Sequence, residues 1–371
     1  MSRARARAYD VVFLALLGGL VLLGFILLAS ASWPLGFEKF GNGYYFLEHQ
    51  AIFGLPLGLA GFFTMMRLPY GSLRKLAIPM LGLSVLLLLL VFIPGLGAEF
   101  GSSRSWIAVG PVSFQPSEIV KLTFLIYLAA WLEKRSKVEL RSFTSGLLPF
   151  GTVMGVIALL LLLQPDTGTL AIIVASAVVV YAVAGAPLYQ LAGVGLLGAT
   201  VLALLLNFSE YREARFKTFL HPELDPLGVG YHINQALLAI GSGGFFGRGY
   251  GHSLQKFQSL PEVAGDSIFP IIAEELGFVL TSLFIFLYLS FLLRGLKIGE
   301  NSPDQFGRYL VIGIMSWFGI QAIVNIGAMV GLLPITGVPL PFISYGGTAL
   351  IVCLTAAGVV VNVSGAKRAE D

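Results

Sequence analysis

Residues 11–30 read VVFLALLGGLVLLGFILLAS, a run without a charged residue that decides the fold class. A helix needs about 20 such residues to cross the ~30 Å hydrocarbon core of a bilayer. Residues 76–93, LAIPMLGLSVLLLLLVFI, form a second run of the same kind. A membrane β-barrel would instead alternate apolar and polar residues in segments of about ten, and this sequence lacks that pattern. The sequence therefore predicts an all-α, polytopic integral membrane protein.

The composition is that of a membrane protein. Of 371 residues, 56% are hydrophobic and 12% are charged, with a mean hydropathy of +0.86, whereas soluble domains carry about 25% charged residues. The single cysteine, Cys353, allows no disulfide within the chain. The sequence has no internal repeat, soluble segment or nucleotide-binding glycine motif. Residues 1–371 are therefore expected to form one membrane domain with no nucleic-acid partner.

The apolar runs predict ten spans and one long external loop. The spans lie at 11–32, 44–66, 73–93, 117–133, 146–163, 168–184, 187–207, 267–293, 307–331 and 344–363. Segments on one side hold most of the 23 Lys and Arg residues, so the positive-inside rule predicts that both termini are cytoplasmic. The external loop, about residues 208–266, joins the seventh and eighth spans. Its middle, YHINQALLAIGSGGFF (231–246), predicts a short interfacial helix followed by glycines that permit close backbone approach.

The stretch LPEVAGDSIFPIIAEELG (260–277) places carboxylates at and inside the eighth span, where each charge costs roughly 2.5–3.5 kcal/mol. Asp266 precedes that span, with Pro270 four residues later. It is either the cap of the helix or a general base in a pocket beneath the external loop, and the pattern alone favours neither. Glu274 and Glu275 must face protein or water, as partners of basic groups, in a polar cavity or as polar contacts between helices.

Glu118 and Lys121 lie three residues apart on one helix face, near the outer end of the fourth span. They either fix helix packing or, with Arg104, contribute to a cationic site for an anionic ligand. For Asp166, helix capping is the favoured role. The histidines show no zinc-binding spacing. The metal to consider is therefore a hard divalent cation held by Asp266 or a nearby carboxylate and by a substrate pyrophosphate.

Five motifs in order resemble the SEDS family of shape, elongation, division and sporulation proteins, over about residues 10–363: SWIAVGPVSFQPSEIVKL, QPDTG, HPELDPLGVGYHINQALLAIGSGGFFGRG, LPEVAGDSIFPIIAEELG and LLPITGVPLPFISYGGTALI. The resemblance implies a peptidoglycan glycosyltransferase that polymerises lipid II, an undecaprenyl-pyrophosphate-linked disaccharide-pentapeptide, at the outer face of the bacterial cytoplasmic membrane. It also implies a class B penicillin-binding protein, a transpeptidase, as the partner in a division or elongation complex.

The resemblance further assigns roles to single residues. Asp266 matches the proposed catalytic base of the family, Glu118 and Lys121 match its intramembrane pair, and Arg215 matches its loop arginine. A leaving pyrophosphate develops negative charge, so cations placed at headgroup depth would lower the barrier. The candidates for binding substrate or pyrophosphate are Arg104, Glu118, Lys121, Arg215, Arg248, Glu262, Glu274, Glu275, Gln50 and Gln235.

Two other functions stay open on the sequence alone. A transporter that flips lipid II would also contain buried Glu and Lys, although no inverted repeat supports it. A noncatalytic scaffold is the third reading. The reaction needs no nucleotide sugar, because the bond to the lipid pyrophosphate is already activated. The sequence establishes no cofactor, and the candidate is a divalent cation, Mg2+ or Mn2+. The sequence does not separate the division branch from the elongation branch.

Overall fold

The computed structural model describes residues 9–100, 103–110, 112–207, 218–219, 221, 228–257 and 260–366. Most of these residues are helical, and two of the helical stretches contain a π-helical turn, at Gln50–Gly54 and Phe143–Leu147. The helices are α1 Val11–Phe40, α2 Tyr45–His49, α3 Leu55–Arg67, α4 Gly71–Leu90, α5 Pro116–Glu133, α6 Lys137–Arg141, α7 Leu148–Leu163, α8 Thr167–Val183, α9 Leu188–Asn207, α10 Val229–Ser242, α11 Ile268–Glu300, α12 Gln305–Met329 and α13 Gly347–Ser364.

Within the described residues, six helical stretches are long and apolar enough to cross a membrane: Val11–Phe40, Gly71–Leu90, Phe143–Leu163, Ile268–Glu300, Gln305–Met329 and Gly347–Ser364. The chain is therefore multi-pass. Helices also occupy the other four ranges predicted as spans, but the helix Thr167–Val183 is shorter than the six stretches above. The count of ten spans, and the placement of both termini, stay predictions.

A three-stranded antiparallel sheet interrupts the helices and was not predicted. Its strands are β1 Gly97–Phe100, β2 Ser103–Val109 and β3 Val112–Phe114, in the order β1-β2-β3. Ile107 pairs with Gly97 on one side and Phe114 on the other, and its side chain is buried. The strands are too short and polar to show the apolar alternation that would have identified them in the sequence.

Helix α12 lies at the centre of the bundle and packs against α5, α8, α11 and α13. It is apolar on almost every side, and Trp317 and Phe318 are fully buried. Two buried amides, Gln321 and Asn325, interrupt this apolar surface one helical turn apart. Because buried polar groups are costly unless they are hydrogen-bonded, these amides mark where α12 meets other polar elements.

Asp10 joins three helices at the end of the bundle where α1 begins. Its carboxylate accepts from Phe13 N at 2.9 Å and pairs with Arg294 of α11 at 2.8 Å, while its own N–H donates to Ser364 Oγ of α13 at 3.1 Å. Burial acts to raise the pKa of Asp10. The hydrogen bonds from Arg294 and Phe13, with the charge of Arg294, outweigh burial, so the pKa is lowered from its usual value.

We expect Arg294→Gln to lower the unfolding temperature in detergent at neutral pH and to lose this effect in acid. Because the pKa of Asp10 is lower in the folded than in the unfolded protein, its ionised carboxylate stabilises the fold at pH values above the unfolded pKa of about 3.9. This contribution is lost as the pH falls through the folded-state pKa. The pair is partly exposed, so the effect is at most about 1 kcal/mol. Thermal unfolding between about pH 7 and pH 2 measures it. If the two proteins differ in unfolding temperature by the same amount at every pH, this expectation is wrong.

Candidate functional site

Asp266 lies immediately before α11, half-buried, and it does not cap that helix. The residue at the cap position is Ser267, which makes no capping hydrogen bond, because its hydroxyl lies 2.6 Å from His232 Nε2 of α10. Asp266 Oδ2 lies 3.8 Å from where a Cβ on Gly337 would stand, so its carboxylate faces the segment between α12 and α13. The helix-cap interpretation is wrong, and Asp266 stands where α10, α11 and that segment meet.

Asn325 of α12 holds the backbone of Asp266 in place. Its Nδ2 donates to Asp266 O and to Val338 O, both at 2.8 Å. One turn earlier, Gln321 Nε2 donates to Pro339 O at 2.7 Å, and its Oε1 accepts from Lys121 Nζ at 2.8 Å. The Asp266 backbone and the ion pair of α5 are therefore connected through the two amides of α12 and residues 337–340.

Glu118 and Lys121 form a buried ion pair with an oxygen–nitrogen distance of 2.7 Å, and their side chains are 3% and 1% exposed. Lys121 Nζ also lies 5.0 Å from the ring centroid of Trp317. The space beside Lys121, lined by Phe124, Leu125, Ile172, Ile173, Ser176 and Trp317, is too small for a water molecule. In this conformation the pair joins α5 to α12, and a direct contact with an anionic ligand stays a prediction.

Glu274 and Glu275 of α11 hold a segment of the predicted external loop, residues 243–257, against the helix. Glu274 accepts from Ser253 Oγ at 2.5 Å and pairs with Arg248 at 3.4 Å. Glu275 accepts from Lys256 Nζ at 2.8 Å and from Ser30 Oγ of α1 at 2.7 Å. Both carboxylates and Lys256 are buried. The two acidic residues inside the eighth span are therefore neutralised by basic residues from the loop.

The same segment completes the hydrogen bonding of α11 where Gly277 breaks the helix. Gly277 has φ 69° and ψ −178°, a conformation that in practice only glycine adopts. Four backbone hydrogen bonds of 2.9 to 3.1 Å bridge the break: Arg248 N to Glu274 O, Gly249 N to Glu275 O, Phe278 N to Gly244 O and Val279 N to Phe245 O. The glycine cluster of the loop permits this close backbone approach.

Part of the loop also reaches α1 within the predicted first span. Tyr250 Oη donates to Ile26 O at 2.7 Å, and Lys256 Nζ donates to Ser30 Oγ at 3.0 Å. Ile26 and Ser30 both fall inside the predicted first span. Irregular backbone at this depth must find its hydrogen bonds within the protein, and residues 244–249 do so at the break in α11.

We expect Lys256→Met to destabilise the protein by about 3 kcal/mol, because it leaves the Glu275 carboxylate buried without its cation. Ser30 Oγ and Ser253 N still donate to that carboxylate, which holds the cost near the lower limit for a broken buried pair. The double variant Lys256→Met with Glu275→Gln should recover most of the loss. Unfolding in detergent measures both, and a double variant as unstable as the sum of its single changes would contradict this account.

The remaining candidates lie in different surroundings. Gln50 is buried in the first π-helical turn, where it accepts from Gly346 N at 2.9 Å and donates to Ser344 O at 3.3 Å, and thus joins the second span to the segment before α13. Arg104 lies on β2, Gln235 on α10, and Glu262 is exposed in the turn before Asp266. Arg215 lies outside the described residues. Asp166 caps α8 by accepting from Thr169 N at 3.2 Å, the role that the sequence favoured.

Sequence reasoning missed three residues on which this site depends: Lys256, Gln321 and Asn325. The two amides left a signal, since they stand one turn apart in an otherwise apolar span. Lys256 left none, because its burial arises only when the loop meets α1 and α11. Among the described residues, no group of three or more His, Cys, Asp or Glu side chains is arranged to hold a metal ion.

Comparison with known proteins gives one consistent family. The FtsW/RodA/SpoVE family of cell cycle proteins matches residues 10–369. The probable peptidoglycan glycosyltransferase FtsW of Trichlorobacter lovleyi is 38% identical, over 97% of this chain and 94% of that protein. Stage V sporulation protein E of Bacillus subtilis is 39% identical, over 93% and 94%. A chain from the solved structure of a peptidoglycan synthase complex, described for its coordination of polymerization and crosslinking, has a TM-score of 0.79 at 32% identity, over 96% and 98%.

Proposed function

The chain belongs to the FtsW/RodA/SpoVE family of cell cycle proteins, and from that membership we propose that it is a peptidoglycan glycosyltransferase of the bacterial inner membrane. Its substrate in this proposal is lipid II, which it joins into β-1,4 glycan strands at the outer face. The observation that carries the proposal within this chain is the placement of Asp266, half-buried where three elements meet and held by Asn325.

Asp266 is the general base in this proposal. The 4-hydroxyl of an acceptor sugar is a poor nucleophile at neutral pH, so it needs a base within hydrogen-bond reach. Asp266 takes the hydroxyl proton as the oxygen attacks the anomeric carbon of the donor sugar. The bond from that carbon to the polyprenyl pyrophosphate breaks, and the pyrophosphate leaves with the electron pair. Attack opposite to the leaving group inverts the anomeric carbon.

The leaving pyrophosphate requires positive charge nearby. Arg248 meets this need best among the described candidates, because its side chain is 38% exposed while one face pairs with Glu274. Arg104 and Arg215 are the further cations of the proposal, and Lys121 acts from within its buried pair with Glu118. A Mg2+ or Mn2+ ion would take most of its ligands from the pyrophosphate and one from Asp266, since the described residues form no protein-only site.

The proposal is tested with purified protein and lipid II, with and without a class B penicillin-binding protein. That transpeptidase is the proposed partner because the chain resembles a component of a peptidoglycan synthase complex. Glycan strands resolved by gel electrophoresis are the expected product. Movement of lipid II across vesicles without polymer under any condition would instead establish the transporter.

A further inference from the structure

Asn325 is the polar side chain that attaches the Asp266 backbone to the centre of the bundle. We propose that it is a positioning residue for the base: by donating to the carbonyls of Asp266 and Val338 together, it fixes the carboxylate relative to residues 337–340 and, through Gln321, to the Glu118–Lys121 pair. This inference rests on the proposed function, in which Asp266 removes the proton from the acceptor hydroxyl.

The need for such a residue follows from the local backbone. Residues 261–267 form turns rather than a helix or strand. Glu262 has φ 51°, and its carbonyl accepts from Gly265 N and Ser267 N. These short-range bonds shape the turn but do not attach it to α12. The bond from Asn325 Nδ2 to Asp266 O makes that attachment, at the residue whose side chain would do the chemistry.

The geometry of the amide suits this role. Both hydrogens of Asn325 Nδ2 are used, and a planar amide holds its two acceptor carbonyls at a fixed angle. In the described part of the chain, Asn325 Oδ1 accepts no hydrogen bond, so the side chain acts as a donor only. Asn325 is 2% exposed, so its two hydrogen bonds are shielded from competition with bulk water.

Gln321 extends the connection to the ion pair. It donates to Pro339 O, and Asn325 donates to the neighbouring Val338 O, so residues 338 and 339 are both bound to the same face of α12. The Gln321 oxygen accepts from Trp317 Nε1 at 2.7 Å as well as from Lys121. The ion pair and the Asp266 backbone therefore share one rigid support.

Asn362 of α13 offers a matched control. Its side chain is 1% exposed, and its Nδ2 likewise donates to two backbone carbonyls, those of Met65 and Leu68. These lie at the end of α3, on the predicted cytoplasmic side, away from Asp266. Asn362→Ala and Asn325→Ala thus remove the same chemistry from similarly buried sites, and only the second change removes the hydrogen bond to the Asp266 carbonyl.

The experiment measures initial rates of lipid II polymerisation and unfolding temperatures for Asn325→Ala, Asn362→Ala and Asp266→Asn in the full-length protein with its transpeptidase. Both alanine variants should unfold at similarly lowered temperatures. Asn325→Ala alone should lose kcat, by about 10- to 100-fold, with KM for lipid II within about twofold, because the base is misplaced while the binding groups are intact.

Each of the following results would overturn the inference. If Asp266→Asn is inactive, an unchanged kcat in Asn325→Ala, with or without a raised KM, overturns this inference and leaves the proposed base standing. An active Asp266→Asn overturns both the proposed base and this inference. If Asn325→Ala does not accumulate, Asn325→Ser, which keeps one donor hydrogen, takes its place: a lower kcat without a KM change supports the inference, and an unchanged kcat overturns it.

Discussion

Asp266→Asn should reduce lipid II polymerisation by at least about 100-fold while leaving the fold intact. General-base catalysis contributes roughly 100- to 10,000-fold, and the amide of asparagine accepts no proton at neutral pH. The substitution preserves size and shape, and the bond from Asn325 to the Asp266 backbone carbonyl does not involve the altered side chain. Glycan strand synthesis by the purified variant and its unfolding temperature together measure the effect.

Asp166→Asn provides the control for this result. Asp166 is also a carboxylate at the start of a helix, and it accepts from Ser117 Oγ at 2.8 Å in addition to Thr169 N. Asparagine retains an oxygen for capping, so this variant should keep its activity within about threefold. Equal loss of activity in both variants would show that charge or folding, rather than the base, accounts for the loss, and would contradict the assignment.

Gly277→Ala should prevent the external loop from seating against α11 and destabilise the protein by about 2 to 6 kcal/mol. A side chain at φ 69° and ψ −178° costs about 1 to 3 kcal/mol in backbone strain. The added Cβ would also overlap Gly247 N and the Phe246 carbonyl carbon, which are backbone atoms that cannot rotate away. The amount of folded, monodisperse protein and its unfolding temperature in detergent measure the effect.

Gly251→Ala is the control that separates the cost of backbone strain from the cost of steric overlap. Gly251 also has a positive φ, 85°, but a Cβ there would meet nothing within 4 Å. This change should cost only about 1 to 2 kcal/mol, the strain of a left-handed conformation alone. If the two glycine variants unfold at the same temperature, the close approach between Gly247 and Gly277 is not what holds the loop in place.

Local patterns predicted a large part of this structure. The apolar runs identified the helices because length and hydropathy are local properties. The capping role of Asp166 was predictable for the same reason, since a cap involves residues within one turn. The same reasoning could not decide at Asp266, where the local pattern fits both a cap and a general base. Its neighbour Ser267 takes the cap position, because α11 begins at Ile268.

Contacts between distant segments were beyond local reasoning. The sequence indicated that Glu274 and Glu275 require partners, because a charge in the membrane is costly wherever it stands. It did not indicate that Lys256, Arg248, Ser253 and Ser30 are those partners. Residues as far apart as Ser30 and Glu275 meet only when α1, the loop and α11 have packed together.

The sequence alone determined that the chain is a helical, multi-pass membrane protein of one family, since hydropathy and ordered motifs are properties of consecutive residues. Only the tertiary structure decided which polar groups meet inside the bundle: the loop segment at the break in α11, and the two amides of α12 between Asp266 and the buried ion pair. The physical reason is that hydrocarbon offers no hydrogen bonds. Each buried polar group must find its partner in another part of the fold, and that choice is made in three dimensions.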